Sequence, residues 1–292
     1  MQLINLKAVM SCLSFMTVLI ILTINFQHLL SVNATTTDIG TYWTTQLNIA
    51  VARTSIPPTF VARYFALLLS SLWNAYTDSS ILIENDRIVA ANYAAYNTLQ
   101  SSFPSRQINN MQALKAQNLL YPPTNSNLYA QQIGTNAANQ VIANRVNDGF
   151  INFVDYVVDY NVGKWQPTPT AFTQLPLTPQ FGKVKPFVIN DINDYLLSGP
   201  PQYSSNEYQQ DYLFTYNYGS NSAITSPLRS QDETDLAFYW SAIMNSVSPP
   251  GYWIQITQDI LATTKLNLTT KDILNIYRTV AFALNDVGIA AW

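Results

Sequence analysis

Apolar residues recur at every third or fourth position through most of the chain, which is the spacing of one buried face of an α-helix. In the first half this pattern predicts five helices: Asp38 to Ser55, Thr59 to Thr77, Ile83 to Ser101, Gln107 to Leu120 and Leu128 to Asn147. The second is apolar on nearly every side, so it is predicted to be central and buried. For Arg63, its one charge, we expect a stem that packs and a head that reaches the helix edge.

Two of these helices carry further packing signals. The third has small residues that would allow a close approach of another helix, namely Ala90, Ala91, Ala94 and Ala95. The fifth has a single apolar stripe, made of Ile133, Ala137, Val141, Ile142 and Val146. The first pattern predicts a close helix–helix contact, and the second predicts one buried face.

The second half repeats the helical pattern. It predicts helices over Asn206 to Asn217, Gln231 to Ser246, Tyr252 to Leu261 and Thr269 to Trp292. The second of these has an apolar stripe of Leu236, Tyr239, Trp240, Ile243 and Met244. No run alternates between apolar and polar residues as a half-buried strand would, so the fold class is predicted to be all-α.

The last predicted helix starts with a strong signal and ends without one. Its first residues, Thr269 to Asp272, have the form of a capping box with Asp in the Glu position. Its apolar face consists of Ile273, Ile276, Tyr277, Val280, Leu284 and Val287. Because no Gly or Pro ends the pattern before Trp292, we expect the natural polypeptide to continue.

Between the two helical halves lies a stretch from Gly163 to Phe187. Its apolar residues follow neither the spacing of a helix nor the alternation of a strand. Its five prolines exclude a regular helix, because each removes a backbone donor and restricts the preceding residue. It is nevertheless too apolar for a solvated linker, with Trp165, Phe172, Leu175, Leu177, Phe181 and Phe187. We predict an ordered strap whose aromatic residues pack into grooves of the helical body; a carbohydrate-binding face is the alternative.

The first 34 residues have the layout of a secretory signal peptide. Lys7 precedes an apolar run from Ala8 to about Ile24, and Val32-Asn33-Ala34 places small residues where a signal peptidase cleaves. An uncleaved membrane anchor is the alternative, although the run falls short of the roughly 20 apolar residues that a span needs. We predict a secreted protein, cleaved after residue 34, with residues 35–292 as a single helical domain and no membrane contact after cleavage.

The predicted signal peptide, residues 1–34, also contains the only cysteine and the only histidine of the chain, Cys12 and His28. The rest of the chain, with 13 basic and 17 acidic residues and a net charge of −4, has neither residue type. This excludes a disulfide, a zinc site built from Cys or His, and a histidine general base.

Charged residues make up only 11% of the chain, against an average of about 25%, and form no basic stripe for nucleic acid. Asn267-Leu268-Thr269 is a predicted N-glycosylation site.

A series of short motifs occurs in a fixed order along the chain. They are Ala62-Arg63, Ala90 to Tyr96 (AANYAAY), Phe103-Pro104, Asn144 to Gly149 (NRVNDG), Gly163 to Pro169 (GKWQPTP), Pro186-Phe187, Pro200-Pro201, Tyr208 with Asp211-Tyr212, Ser226 to Ser230 (SPLRS), Ala237 to Trp240 (AFYW) and Ala283 to Trp292 (ALNDVGIAAW). In this order they resemble the vanadium-dependent haloperoxidase family, which shares its helical core with type-2 phosphatidic acid phosphatases. The resemblance covers nearly all of residues 35–292.

The resemblance implies an all-α bundle of the haloperoxidase type that holds vanadate among a Lys, two Arg, a Ser-Gly-His stretch and a metal-bonding His. In that family the Lys and an Arg-Pro follow soon after the stretch that resembles Asp286 to Trp292. None of these residues matches a position here, and the helix from Leu67 to Tyr76 lacks the His that the family often shows. The fold is therefore expected to be truncated before its catalytic half. We predict no catalytic, cofactor-binding or metal-binding residue in this chain, with vanadate expected only if the polypeptide continues past Trp292.

Other chemistry finds little support in the sequence. Three acidic pairs could serve a glycoside hydrolase if they flanked a cleft: Asp155 with Asp159, Asp191 with Asp194, and Glu207 with Asp211. Such spacings on helices usually mark a solvated face. A Ser-Lys pair would need one of Lys115, Lys164, Lys183, Lys185, Lys265 and Lys271. No motif supports that pairing, and no glycine-rich phosphate loop occurs.

Two functions remain from the sequence. The first is the N-terminal scaffold part of a secreted vanadium-dependent haloperoxidase-like enzyme, with this chain inactive alone. The second is a non-catalytic secreted helical protein that binds a partner, through its last helix or as a homo-oligomer. A phosphatase of the same superfold differs from the first only in residues that this chain does not contain.

Overall fold

The computed structural model describes residues 38–54, 56–122, 127–168, 175–196, 198–219, 228–241, 246–264 and 267–292. Every regular element in these ranges is helical, so the all-α fold class is confirmed. In chain order the α-helices are α1 (Ile39–Ala52), α2 (Pro58–Asp78), α3 (Glu84–Ser102), α4 (Gln107–Leu120), α5 (Asn127–Ala143), α6 (Asn206–Tyr218), α7 (Gln231–Trp240), α8 (Ser248–Thr263) and α9 (Thr270–Ala291).

Helix α2 lies at the centre, as its apolar sequence predicts. Pro58 occupies its first turn, where a missing backbone donor costs nothing. Around it pack α1, α3, α5, α8 and α9. Phe65, Leu68, Leu69 and Leu72 are completely buried in the main core. Burial on most of its sides makes α2 the centre around which these five helices pack.

Helices α3 and α5 cross at very short range. Ala91 and Ala95 of α3 are buried in the main core, whereas Ala90 and Ala94 are completely buried at this crossing, as the small-residue pattern predicts. Gly134 of α5 lies against them so closely that a Cβ there would stand 2.0 Å from the Ala90 carbonyl oxygen. Only a glycine fits this position, because no relaxation of a side chain can move a backbone oxygen out of the way.

Helix α9 closes the other side of α2. Thr269 and Asp272 form the predicted capping box: the Thr269 hydroxyl accepts from the Asp272 N–H, and the Asp272 carboxylate accepts from the Thr269 N–H. Tyr277 is completely buried, and its hydroxyl is 2.6 Å from Thr41 Oγ1 of α1. Val287 was placed on the buried face by its spacing, but it is 63% exposed.

Helix α5 ends four residues earlier than its pattern predicts, at Ala143. Val146, placed on its buried stripe, is exposed as a result. The chain turns after α5, and Gly149 adopts φ +92°, a left-handed conformation that glycine reaches without strain. This turn brings Asp148 to a buried position against α2.

In its described residues, 163–168 and 175–187, the strap is anchored to the helical body through its second part. Phe181 is completely buried, and Phe187 stacks on Phe282 of α9 with ring centroids 5.1 Å apart. The predicted packing of the upstream part is wrong for Trp165, Leu175 and Leu177, which are 42%, 69% and 53% exposed. Phe172 lies outside the described residues. The second part differs because backbone hydrogen bonds fix it, including one of 2.8 Å from Lys185 N–H to the Asp148 carbonyl.

Helices α6 and α7 lie at the periphery. None of the α6 residues is buried, and the predicted α7 stripe is wrong because Leu236, Tyr239 and Trp240 are exposed. The helix ends at Trp240, so the predicted extension to Ser246 is too long, and Ile243 and Met244 lie outside the described residues. Instead of a buried stripe, α7 contacts α8 through aromatic rings: Tyr239 stacks on Tyr252 with ring centroids 5.1 Å apart.

In the described ranges, no helix has both the length and the hydropathy required to cross a bilayer. The predicted signal peptide and its cleavage point lie outside those ranges.

Candidate functional site

Several of the sequence motifs meet at one buried junction. Arg63 of α2 forms an ion pair with Asp148, with Nε 2.9 Å from Oδ2, and its Nη2 donates to the Arg145 carbonyl at 2.8 Å. The Arg63 guanidinium also lies 4.1 Å from the centroid of the Phe150 ring. The expectation that its head reaches the helix edge is therefore wrong, because a buried carboxylate holds it inside.

A second carboxylate fixes the strap to α9. Asp286 accepts hydrogen bonds from three consecutive backbone N–H groups, those of Phe187, Val188 and Ile189, at 2.8, 2.8 and 3.1 Å. Asn285 Nδ2 donates to the same carboxylate at 3.0 Å. The motif Asn285-Asp286 thus holds the chain that leaves the strap.

Beside this junction lies an open groove of about 450 Å³. Its walls come from α2, the end of α5, the strap and α9, which lie far apart in sequence. Three cationic side chains line it, Arg145, Lys185 and Arg278, and among the described residues no carboxylate does. Rings of Phe187 and Phe282 form its apolar part.

Arg145 is held rigidly at one side of the groove. Its Nη1 donates to the Lys185 carbonyl at 2.7 Å, and its Nη2 donates to the Pro186 carbonyl at 2.9 Å. The guanidinium lies flat over the Phe187 ring, 3.6 Å from its centroid. Burial lowers the pKa of Arg145, an effect that the Asp148 carboxylate opposes; an arginine nevertheless keeps its charge at neutral pH.

Arg278 stands on the α9 wall. Its guanidinium packs 4.1 Å from the centroid of the Trp73 ring, and Nη2 donates to Asn275 Oδ1 at 3.2 Å. Its Nε–H is buried and has no acceptor among the described residues. Burial lowers the pKa of Arg278. An unused buried donor is costly to the folded state, but a donor without solvent access does not by itself offer a contact to a ligand.

The positive charge of the groove is offset only in part: Asp148 and Asp286 act on Arg145, but neither carboxylate lines the groove. Asp148 is paired with Arg63, and Asp286 is occupied by backbone N–H groups. Lys185 is exposed at the rim. The amides of Asn74 and Asn144 add neutral donors to the lining. The groove can therefore attract and bind an anion.

The acidic pairs from the sequence do not join this site. Asp155 and Asp159 are exposed on an irregular segment, and Asp159 accepts from Asn161. Glu207 and Asp211 are exposed on α6. Asp191 and Asp194 are likewise exposed, with Asp191 capping a short 3₁₀ helix, Ile192–Tyr195. Only the α6 pair lies on an α-helix, and none of the three flanks the groove.

Of the lysines weighed for a Ser-Lys pair, Lys185 is the one that lines the groove, together with Ser70. The Ser70 hydroxyl donates its proton to the Ala66 carbonyl at 2.6 Å, within its own helix. Lys265 lies outside the described residues. Within the described ranges, His, Cys, Asp and Glu side chains form no group of three or more that could hold a metal ion.

No protein-family model matches the chain, and no curated protein matches it. Among solved structures, the crystal structure of a bacterial vanadium-dependent iodoperoxidase is similar, with a TM-score of 0.69 and 17% sequence identity. The alignment covers 85% of this chain and 66% of the iodoperoxidase chain. The likeness confirms a haloperoxidase-like fold. The chain spans about two thirds of the length of that protein.

Sequence reasoning missed the groove for a physical reason. Arg145 and Phe187 were visible as parts of motifs, but their partnership depends on a strap that crosses the end of α5. Arg278 was not singled out, because charged residues are expected on the exposed face of an amphipathic helix. The signal that could have found it is a basic residue beside the buried face of α9, next to Tyr277.

Proposed function

We propose that this chain is the N-terminal scaffold part of a secreted, vanadium-dependent haloperoxidase-like protein. In this proposal the whole protein oxidises halide with hydrogen peroxide, and this chain supplies the helical body. The observation that carries the proposal is the similarity in fold to a vanadium-dependent iodoperoxidase over 85% of the chain. The ordered motifs support it independently, because Arg63, Arg145, Asp148, Phe187 and Asp286 meet in one structural junction.

The residues of this chain do not fit vanadate in the way the resemblance implies. That arrangement needs an imidazole bonded to the metal, and no histidine occurs after His28. The groove offers guanidinium and ammonium groups, which can neutralise an anion but cannot coordinate a metal centre. We therefore assign no redox step to these residues, and the chain alone is proposed to be inactive.

Halide oxidation by the purified chain is the direct test. With vanadate, peroxide and bromide or iodide, we expect no oxidation above the rate without protein. Vanadate-dependent bromination would show that this chain holds a working site and would overturn the proposal. The complementary test is the reading frame beyond the Trp292 codon, where we expect a Lys, an Arg-Pro and a Ser-Gly-His.

Secretion has a test of its own. N-terminal sequencing of the exported protein is expected to begin at Thr35, whereas an intact Met1 would favour the membrane anchor.

Asn267 is exposed just before α9, so we propose that it carries an N-glycan when the protein is made in a host that glycosylates. Pairing through α9 or as a homo-oligomer remains a proposal, which sedimentation would test.

A further inference from the structure

We propose that the basic groove binds a compact organic anion, with an oxyanion head held by Arg145, Lys185 and Arg278 and an aromatic body against Phe187 and Phe282. This proposal does not depend on halide oxidation, and it concerns a site other than a vanadate centre. It rests on the charge and the geometry of the residues that line the groove.

The head of the ligand is specified by the cations. Two guanidinium groups and one ammonium group line one groove, with no carboxylate from the described residues among them. The nearby Asp148 and Asp286 oppose part of this charge at Arg145, but neither carboxylate lines the groove, so its three cations remain in excess there. A guanidinium matches the paired oxygens of a carboxylate or phosphate, and charge-assisted hydrogen bonds are about twice as strong as neutral ones.

The donors are preorganised before any ligand arrives. Arg145 is fixed by two carbonyl hydrogen bonds and by the Phe187 ring, and Arg278 is fixed by Trp73. Neither side chain loses much conformational freedom when an anion binds, which lowers the entropic cost of binding.

The body of the ligand is specified by the rings. Phe187 and Phe282 stack with an interplanar angle of 23°, and both line the groove. The Arg145 guanidinium already covers one face of Phe187 at 3.6 Å, so a ligand ring would meet the Phe282 side of this pair. Inorganic phosphate would leave the apolar ring surface exposed to water. An aromatic ligand ring would bury that surface, and this burial would favour binding. A cavity of about 450 Å³ accommodates a single-ring molecule and is small for a polymer.

Three probes separate the two parts of the proposal: benzoate, which has both head and ring, inorganic phosphate, which has only an anionic head, and benzamide, which has the ring without charge. Titration into the purified chain is followed by NMR, with the Arg278 Nε–H resonance as the local reporter. We expect benzoate to bind with a Kd of about 1 mM, about tenfold tighter than either other probe, and to shift that resonance.

The matched variants are Arg278→Met, Lys185→Met and Lys271→Met. Arg278→Met keeps an apolar stem and is expected to weaken benzoate about tenfold, and Lys185→Met, at the exposed rim, about threefold. Lys271 lies on the same helix, 5.9 Å from the Trp73 ring centroid but outside the groove, so Lys271→Met is the control and should leave binding unchanged. Far-UV circular dichroism establishes that each variant is folded.

Each remaining outcome overturns the proposal. Equal binding of phosphate and benzoate would mean that the rings contribute nothing, and equal binding of benzamide would mean that the cations contribute nothing. No binding at tenfold above the expected Kd, or equal losses in Lys271→Met and Arg278→Met, would show that the groove is not the site. None of these results bears on halide oxidation, so the two proposals fail separately.

Discussion

Replacing Asp148 by alanine should destabilise this protein more than any surface change. Asp148 is buried, and it neutralises the buried guanidinium of Arg63 across a distance of 2.9 Å. The substitution also removes the acceptor of the Phe150 N–H, 3.2 Å away. Removing one partner of a buried pair leaves an uncompensated charge, which costs about 3 to 5 kcal/mol in the free energy of unfolding.

Urea denaturation followed by far-UV circular dichroism measures this cost. With an m-value of about 2 to 3 kcal/mol/M, the midpoint of Asp148→Ala should fall by about 1 to 2.5 M urea. Adding Arg63→Met removes the unpaired charge, so the double variant should be less destabilised than the sum of the two single variants.

The Glu84–Arg87 pair provides the matched control. It is also an ion pair, but the Glu84 side chain is 50% exposed and the nitrogen–oxygen distance is 3.3 Å. Glu84→Gln should change the free energy of unfolding by less than about 1 kcal/mol. A loss below about 1 kcal/mol for Asp148→Ala, or strictly additive effects in the double variant, would refute the idea that a buried charge pair fixes this junction.

Three further predictions concern packing, the strap and pH. Gly134→Ala should lower the free energy of unfolding by about 1 to 3 kcal/mol in urea denaturation, because its Cβ would overlap the Ala90 carbonyl; Gly199→Ala, with open space around it, should have almost no effect. Asp286→Asn should make the amides of the strap exchange hydrogen faster at Phe187 and Val188, whereas the exposed Asp191→Asn should not; unchanged exchange would contradict the anchoring role. Burial raises the pKa of Tyr277, so its folded pKa lies above the unfolded value of about 10; the folded state then holds more protons above that pH, and stability should fall as pH rises past it. Tyr277→Phe should make that fall shallower in denaturation series between about pH 9 and 11, and an identical slope would contradict this assignment.

The sequence predicts the helices well where burial and period agree. Helix α4 has its predicted bounds, and α9 begins at its predicted capping box. The small residues of α3 anticipate the close crossing with α5, although the role of Gly134 requires the backbone of both helices. These features can be predicted because they depend on neighbouring residues, as a capping box does, or on one face of a single helix.

The errors occur where a long-range contact overrides a periodic pattern. Val146 continues the α5 stripe in sequence, but the chain turns earlier, where the Arg63–Asp148 pair holds it. The α7 stripe is exposed, because amphipathic spacing does not show whether another element covers it. The groove could not be predicted at all, since its walls meet only after the strap has crossed the end of α5.

The placement of α9 against α2 also constrains how the molecule folds as it is synthesised. About 190 residues separate the two helices, and at 5 to 20 residues per second a ribosome needs about 10 to 40 s to make them. Until Leu274, Tyr277 and Ala281 emerge, the side of α2 that they bury has no cover from within the chain. The nascent protein therefore presents a long apolar helix to its surroundings, which makes it a natural client of chaperones and exposes it to aggregation when translation stalls.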